Sequence, residues 1–414
     1  MPGPATSTET EGPTLGSRLR PFAILLAVSF PLWYAGLVLR GGKGLLDHSP
    51  IDQHTRQARA WLDGRIDLAE APDYLEIAPY DGRFYDSFPP VPSLVEVPLV
   101  LVFGDKTPNA LFGIYLPWLL ALAGEFVILR RCGWDERSAL LASLAFVFGT
   151  NLYATCVRAN VWAYGQSLGY CLATIGLAFV TANRVRARGA GAGYLLLALA
   201  VGCRPLLALL FPLFVALDHR TSDRPLPRAI GSAVSWASPI ALGLALYNWA
   251  RFSNPLEFGH NHLAWAKALP EGIFSLSHVP WNAYHAFVRL PDLHSQWPYV
   301  RFDTAGTTFF LNNAIFVVAL VGLFRARVDP WIRATALFAC LGIGLGVLCY
   351  EGKGNTQFGF RYVIDLLPVG FVALALAHRR FSRGMAAAAL FSTVVNLYGL
   401  SVWKGMPRFR PGDF

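Results

Sequence analysis

The residues with the clearest chemical potential lie just after the first apolar run of the chain. Asp52, Arg56 and Arg59 are spaced at i, i+4 and i+7, which on a helix places one carboxylate beside two guanidinium groups. A carboxylate there can accept the proton of an attacking hydroxyl group. The simpler alternative is that Asp52 only pairs with Arg56 on an exposed helix. We take Asp52 as the candidate catalytic base, and Arg56 and Arg59 as candidate substrate-binding residues.

Three arginines lie at one end of apolar runs, at the depth of lipid headgroups. Arg158, Arg204 and Arg361 could each donate paired hydrogen bonds to a phosphate. The alternative is that these long side chains only reach from the membrane to water. Arg204 precedes Pro205, where two short helices are predicted to meet, and a charge there is costly unless it is paired or bound. We predict that all three bind a phosphate.

Tyrosines and histidines between the apolar runs are further candidate substrate-binding residues. Aromatic rings can stack on sugars, although their commoner role at this depth is to anchor a protein at the membrane interface. The H-x-H pair at 260–262 is a weak metal signal, and a solvated loop is the alternative. We predict no metal site. The candidates are Tyr85, His260, His262 and Tyr362.

Two glutamates stand within apolar runs. Glu125 lies about one helical turn from Arg130 and Arg131, which predicts a structural ion pair. Glu96 has no role that its neighbours in the sequence explain.

The composition indicates that the elements that position these residues are membrane helices. Of 414 residues, 54% are hydrophobic and only 15% are charged, below the ~25% of soluble domains. This argues against a soluble enzyme, a disordered chain and a coiled coil. We predict an all-α, polytopic transmembrane bundle of about eleven spans. The predicted spans are 21–39, 108–129, 138–156, 162–181, 190–203, 205–217, 229–249, 305–323, 331–349, 362–377 and 385–402.

Three local patterns follow the first span. Ser49 as the N-cap, Pro50 as the first residue and Gly64 as the stop predict a surface helix. Asp-Gly at 81–82, between aromatic flanks, predicts a hairpin turn. The apolar segment 91–104 is too short, at ~1.5 Å per residue, for a hydrocarbon core of ~30 Å, so it is expected to be interfacial or re-entrant.

The placement of basic residues predicts the orientation. If 91–104 does not cross, every basic cluster falls on the cytoplasmic side, as the positive-inside rule requires. The net charge of +9 then reflects topology, and we predict no nucleic-acid partner. The internal clusters are Arg130/Arg131/Arg137, Arg184/Arg186/Arg188, Arg220/Arg224/Arg228, Arg325/Arg327/Arg333 and Arg379/Arg380/Arg383, and the N-terminal arm adds Arg18 and Arg20.

This orientation divides the chain into three parts. Residues 1–20 are predicted to be a disordered cytoplasmic arm, 21–403 a single transmembrane domain, and 404–414 an external tail. Two long external loops, 40–107 and 250–304, hold most of the candidate residues. The active site is therefore expected on the external face. The six cysteines lie in or near apolar runs without a C-x-x-C pair and are predicted to be core residues.

In layout and motifs the chain resembles the GT-C membrane glycosyltransferases, in the branch that includes protein O-mannosyltransferases and lipid A aminoarabinose transferases. Asp52 followed by 60–65 looks like the family's catalytic aspartate and its A-x-x-L-x-G-R-like run. The order and spacing of several weak motifs carry the resemblance over nearly the whole chain. The others are Gly82-Arg83-Phe84-Tyr85, Phe88-Pro89-Pro90, Arg204-Pro205, Asn254-Pro255-Leu256-Glu257-Phe258-Gly259 and Phe358-Gly359-Phe360-Arg361-Tyr362.

The resemblance implies a monosaccharide donor on a polyprenyl phosphate, an inverting single displacement and Asp52 as the general base. It also implies that the external arginines hold the lipid phosphate, that the acceptor is a glycan, lipid or protein, and that the location is a bacterial inner membrane. Many relatives carry a second acid beside the first, whereas Gln53 and His54 follow Asp52 here. We therefore expect no cofactor, and the role of a divalent metal stays open.

Two other classes of function compete with this one. A transporter or flippase of a lipid-linked or amphiphilic substrate needs polar groups in the middle of several spans, and the predicted spans are apolar. A non-catalytic membrane partner that binds glycan would use the same loops, and the sequence leaves that possibility open.

Overall fold

The computed structural model describes residues 15–42, 44–157, 159–181, 189–351 and 357–402. Most of the predicted N-terminal arm, 1–14, and the predicted tail, 404–414, lie outside these residues. Residues 15–20, expected to be disordered, already belong to the first helix. The predicted basic cluster at 184–188 also lies outside the described residues, as does Arg158.

The described residues form a helical bundle with two small hairpins. The first ten helices are α1 (Leu15–Leu39), α2 (Gln53–Leu62), α3 (Val91–Phe103), α4 (Leu116–Arg131), α5 (Glu136–Phe148), α6 (Asn151–Cys156), α7 (Val161–Val180), α8 (Gly189–Val201), α9 (Phe211–Thr221) and α10 (Leu226–Phe252). The others are α11 (Ala264–Lys267), α12 (Val279–Ala283), α13 (Phe309–Asn312), α14 (Ala314–Arg325), α15 (Pro330–Cys349), α16 (Leu367–Ala377) and α17 (Arg383–Val402). The antiparallel strand pairs are β1 (Ile77–Tyr80) with β2 (Arg83–Asp86), and β3 (Asp292–Leu293) with β4 (Val300–Arg301).

Within the described ranges, six helical segments are long and apolar enough to cross a membrane. They are α1, α7, α10, α15, α17 and the segment Ala110–Arg131, in which α4 continues a π-helical turn. Three shorter apolar helices, α3, α8 and α14, accompany them. These helices confirm a polytopic helical membrane protein. The count of eleven spans stays a prediction.

Close helix packing places α7 at the centre of the bundle, against α4 and α8. At the contact between α7 and α8, a Cβ on Gly176 would lie 2.9 Å from the carbonyl oxygen of Gly193. Glycine is thus required for this approach of two backbones. Small residues permit such van der Waals packing between membrane helices, where burial from water supplies little driving force.

Two predicted spans are interrupted, one between α5 and α6 at Gly149 and the other between α13 and α14 at Asn313. The two breaks meet inside the bundle. The Asn151 backbone N–H donates to Asn313 Oδ1 at 2.8 Å, and Asn396 Nδ2 donates to the Thr150 carbonyl at 2.9 Å. Side-chain amides thereby satisfy backbone groups that the breaks release in a water-poor interior.

The segment between α1 and α3 contains both predicted local elements. The hairpin is confirmed, with Asp81 and Gly82 at φ values of 48° and 70°, as a tight turn of this kind requires. The predicted helix is also present, but α2 begins at Gln53 instead of Pro50, and six of its ten residues are buried. The Ser49 backbone N–H is instead bonded to the Asn109 side chain at 3.3 Å, so a contact with a distant loop sets the path of the chain here.

Candidate active site

Asp52 is the N-cap residue of α2 and lies between the side chains of His48 and Arg56. Its Oδ1 accepts a hydrogen bond from Arg56 Nε at 2.8 Å, and its Oδ2 lies 3.2 Å from His48 Nε2. Burial raises the pKa of Asp52, but the hydrogen bonds from His48 and Arg56 outweigh burial and hold it below its ordinary value. The positive end of α2 acts in the same direction. Asp52 is therefore an ionised carboxylate at neutral pH.

The two predicted arginine partners of Asp52 separate in the structure. Arg56 bonds Asp52 and also donates to the Tyr74 hydroxyl at 3.2 Å. Arg59 instead pairs with Asp105 at 2.7 Å, on the exposed surface. The expected grouping of one carboxylate with both guanidinium groups is wrong for Arg59, because its side chain reaches the loop that follows α3. His48, which the sequence analysis missed, contacts the other oxygen of Asp52.

Arg204 lies in the predicted break, between α8 and a 3-10 turn that begins at Pro205. It pairs with Asp365, whose oxygens accept from Nε at 3.1 Å and from Nη2 at 2.7 Å. Asp365 is 1% accessible whereas Arg204 is 25% accessible, so the guanidinium is held on one side and open on the other. In the described part of the chain, its Nη1 has no hydrogen-bond partner.

Arg361 and Tyr362 lie beside this pair. The guanidinium carbons of Arg204 and Arg361 are 5.8 Å and 5.2 Å from the centre of the Tyr362 ring. Arg361 is also 6.0 Å from the ring of Trp162. Among the described residues Arg361 has no carboxylate partner. The structure thus brings together three predicted residues from two distant segments.

A small polar cavity of about 40 Å³ opens at Arg361. Its walls carry guanidinium, amide and hydroxyl groups, of which Asn151, Thr155 and Gln357 already donate to backbone carbonyls. The guanidinium groups of this wall are the part that suits an anionic ligand. The polar residues of the wall are Arg40, Asn151, Thr155, Asn160, Gln357 and Arg361.

Two residues outside the predicted set connect α2 to the arginines. Gln53 Nε2 donates to the Glu76 carbonyl at 2.6 Å, and Trp162 Nε1 donates to Glu76 Oε2 at 2.8 Å. Trp162 then faces Arg361. Consecutive contacts therefore run from the residue after Asp52 to Arg361. Nothing local marks Glu76 as a site residue, because its partner Trp162 lies in the first turn of a distant helix, α7.

The remaining loop candidates have packing roles. His262 stacks on Phe252 with ring centres 5.1 Å apart, and Tyr85, 3% accessible, packs against the same ring at 5.3 Å. His260 packs edge-on against Phe88 at 5.2 Å. The two histidines of the H-x-H pair therefore contact different neighbours. Burial lowers the pKa of both, so both are neutral at neutral pH.

Of these candidates, His260 lies within reach of the charges of Glu76 and Arg204. Over the described ranges, no three His, Cys, Asp or Glu side chains are grouped to hold a metal ion. Each oxygen of Asp52 faces a nitrogen atom, Arg56 Nε at Oδ1 and His48 Nε2 at Oδ2.

The two glutamates of the apolar runs have hydroxyl partners. The hydroxyl of Tyr170 donates to Glu125, while Arg130 donates to the Trp134 carbonyl at 2.6 Å. The predicted pairing of Glu125 with Arg130 or Arg131 is wrong, because the glutamate is buried in the bundle. Glu96 Oε2 accepts hydrogen bonds from Thr107 at 2.7 Å and Thr55 at 3.0 Å, and so fastens α3 to α2.

Comparison with solved structures identifies the fold of the chain. No family model and no curated protein sequence matches the chain. The structure is similar to that of ArnT from Cupriavidus metallidurans in the apo state, with a TM-score of 0.51, 13% identity, and coverage of 86% of this chain and 59% of ArnT. It is also similar to the Archaeoglobus fulgidus oligosaccharyltransferase in the apo form, with a TM-score of 0.46, 13% identity, and coverage of 94% and 57%. The chain thus spans somewhat over half the length of these proteins. The likeness to ArnT shows a GT-C fold, as the resemblance predicted.

Proposed function

We propose that this protein is a membrane glycosyltransferase that transfers a monosaccharide from a polyprenyl-phosphate donor to a hydroxyl group of an acceptor. The observation that carries the proposal is the placement of an ionised carboxylate, Asp52, on a GT-C fold, with contacts that link its helix to a pair of arginines. The acceptor is a glycan, a lipid or a protein. The proposed location is the external face of a bacterial inner membrane.

The proposed reaction is a single displacement. The acceptor oxygen attacks the anomeric carbon as the bond from that carbon to the phosphate oxygen breaks, which inverts the configuration. Asp52 takes the proton of the acceptor hydroxyl, and polyprenyl phosphate leaves with the electron pair of the broken bond. A carboxylate with a low pKa can serve as this base, since the hydroxyl becomes acidic only as the new bond forms.

The two arginines have different proposed roles toward the donor phosphate. Arg361 has no carboxylate partner in the described chain and lines the polar cavity, so its charge is available to an anion. Arg204 is paired with Asp365, but its Nη1 has no hydrogen-bond partner among the described residues and its side chain is partly accessible. Guanidinium groups stabilise the charge that develops on a departing phosphate. Arg158 is proposed as a third phosphate ligand, and His260 and Tyr362 as donor contacts.

The transporter alternative receives no support from the buried polar groups of the described residues. Several of these groups pair with one another: Glu125 with Tyr170, Asn312 with Asn396, and Asp218 with Arg224. One oxygen of Glu125, Asn312 and Asp218 has no hydrogen-bond partner among the described residues. Paired side chains of this kind stabilise helix packing. A transport path would instead need polar groups that line a route for the substrate.

The test is a measurement of donor consumption in reconstituted lipid. Wild-type protein, Asp52→Asn and the matched control Asp105→Asn are incubated with a panel of polyprenyl-phosphate sugars and crude membrane glycans. Asp105 is an exposed carboxylate paired with Arg59, so its loss is expected to leave turnover unchanged. We expect consumption by the wild type and the control, and a loss of about 10²-fold or more in Asp52→Asn. Full turnover by Asp52→Asn contradicts the assignment of the base, and the absence of consumption with every donor contradicts the proposed function.

A further inference from the structure

His48 joins Asp52 to a distant loop. Its Nε2 lies 3.2 Å from Asp52 Oδ2, and its Nδ1 lies 3.0 Å from the carbonyl oxygen of Thr107. Its side chain is 17% accessible, so water competes little for these contacts. The imidazole therefore bridges the start of α2 and the loop between α3 and α4.

The two partners of His48 determine its protonation state. A carbonyl oxygen and a carboxylate oxygen are both hydrogen-bond acceptors, and neutral imidazole carries only one N–H group. Only the imidazolium form can donate to Thr107 and Asp52 at once. In agreement, the hydrogen bond with Asp52 is the largest of the effects that raise the pKa of His48 above its ordinary value of 6.5.

The charges around His48 favour the same form. Asp52 on α2 and Glu96 on α3 are the acidic groups that act on the imidazole. The nearest basic group of the site, Arg56, bonds the other oxygen of Asp52. With His48 protonated, each oxygen of the Asp52 carboxylate has a cationic donor. Arg56 belongs to α2, and His48 is also bonded to Thr107 in another part of the fold.

We propose that His48 is a positioning residue, which as imidazolium holds the Asp52 carboxylate in one orientation against the Thr107 loop for proton transfer. This inference rests on the proposed role of Asp52 as general base. Arg56 supplies a weaker restraint, because it lies on the same short helix as Asp52 and its one bond to another segment, with Tyr74, is exposed to water. His48 anchors the carboxylate to a second element, which in turn is bonded to Glu96 through Thr107.

The kinetic test compares kcat and the pH profile of kcat/KM in wild type, His48→Gln and the matched control His294→Gln. His294 is exposed, and its backbone N–H donates to the Tyr299 carbonyl, while its imidazole has no partner among the described residues. We expect His48→Gln to lower kcat about 10-fold or more, the usual effect of losing a hydrogen bond between charged groups. The alkaline decline of the wild type, caused by deprotonation of His48, should disappear, and the acid limb should move up toward the ordinary pKa of aspartate.

A second measurement follows the imidazole itself by NMR of protein labelled in its histidine side chains. The signal lost in His48→Gln identifies His48, whose midpoint should lie above 6.5 in the wild type and fall in Asp52→Asn. An unshifted midpoint, unaffected by Asp52→Asn, overturns the inference. A His48→Gln enzyme with the wild-type kcat and pH profile also overturns the inference. In that case the proposed function still stands if Asp52→Asn is inactive. A protein that consumes no donor overturns both.

Discussion

The guanidinium of Arg204 is bonded through Nε and Nη2 to the buried carboxylate of Asp365, 161 residues further along the chain, at 3.1 and 2.7 Å. The pair therefore has a structural role as well as a proposed one in donor binding. It closes the break between α8 and the turn at Pro205 against the start of α16.

Removal of Arg204 alone is expected to destabilise the protein. Arg204→Ala leaves Asp365 buried without a counter-charge, and we expect the free energy of unfolding to fall by about 3 kcal/mol. The double variant Arg204→Ala with Asp365→Asn should lose less, because it buries no unpaired charge. Thermal denaturation in detergent measures both. A double variant less stable than the single one would contradict this account.

Arg361 is expected to affect the donor more than the fold. Arg361→Ala should raise the apparent KM for the donor roughly 10-fold, the effect of losing a charged hydrogen bond, with a small change in melting temperature. Arg361→Lys should recover part of the affinity, because it keeps the charge but not the paired geometry. The control is Arg301→Ala, an exposed arginine on β4. An unchanged donor KM in Arg361→Ala would exclude it as a phosphate ligand.

The contact between His48 and Asp52 should stabilise the protein within a defined pH window. The pKa of His48 is raised above 6.5, so its contribution is complete below 6.5 and is lost as pH rises through the raised value. The pKa of Asp52 is lowered below 3.8, so its contribution is present above 3.8 and is lost as pH falls through the lowered value. The melting temperature of wild type minus that of Asp52→Asn should therefore be largest between these limits. A difference independent of pH would contradict the prediction.

Tyr170 is expected to be essential for the buried Glu125. Tyr170→Phe leaves that carboxyl group without its hydrogen-bond partner, at an expected cost of about 1–3 kcal/mol in the free energy of unfolding. The matched control is Tyr34→Phe, in which the lost hydroxyl belongs to an exposed side chain on α1. Chemical denaturation of the two variants should separate them clearly. Equal stability would show that Glu125 finds another partner.

The sequence by itself determined the features that depend on neighbours within a few residues. The apolar runs predicted the membrane helices, Pro205 predicted the break at Arg204, and Asp-Gly at 81–82 predicted the hairpin turn. The pairing of Asp52 with Arg56 follows from helical spacing. Each of these results from backbone sterics, local hydrogen bonding or hydrophobicity, which act over one or two turns of chain.

Only the tertiary structure decided which distant groups meet. Arg204 pairs with Asp365. Glu125 accepts a hydrogen bond from Tyr170 and does not pair with Arg130. Arg59 pairs with Asp105 and not with Asp52. The breaks inside two predicted spans are visible only in the structure. There, distant asparagine side chains form hydrogen bonds with the backbone groups that the breaks leave without a helical partner. Buried charges and freed peptide groups must be paired, but helix packing selects the partner, and packing depends on side-chain shapes along the whole chain.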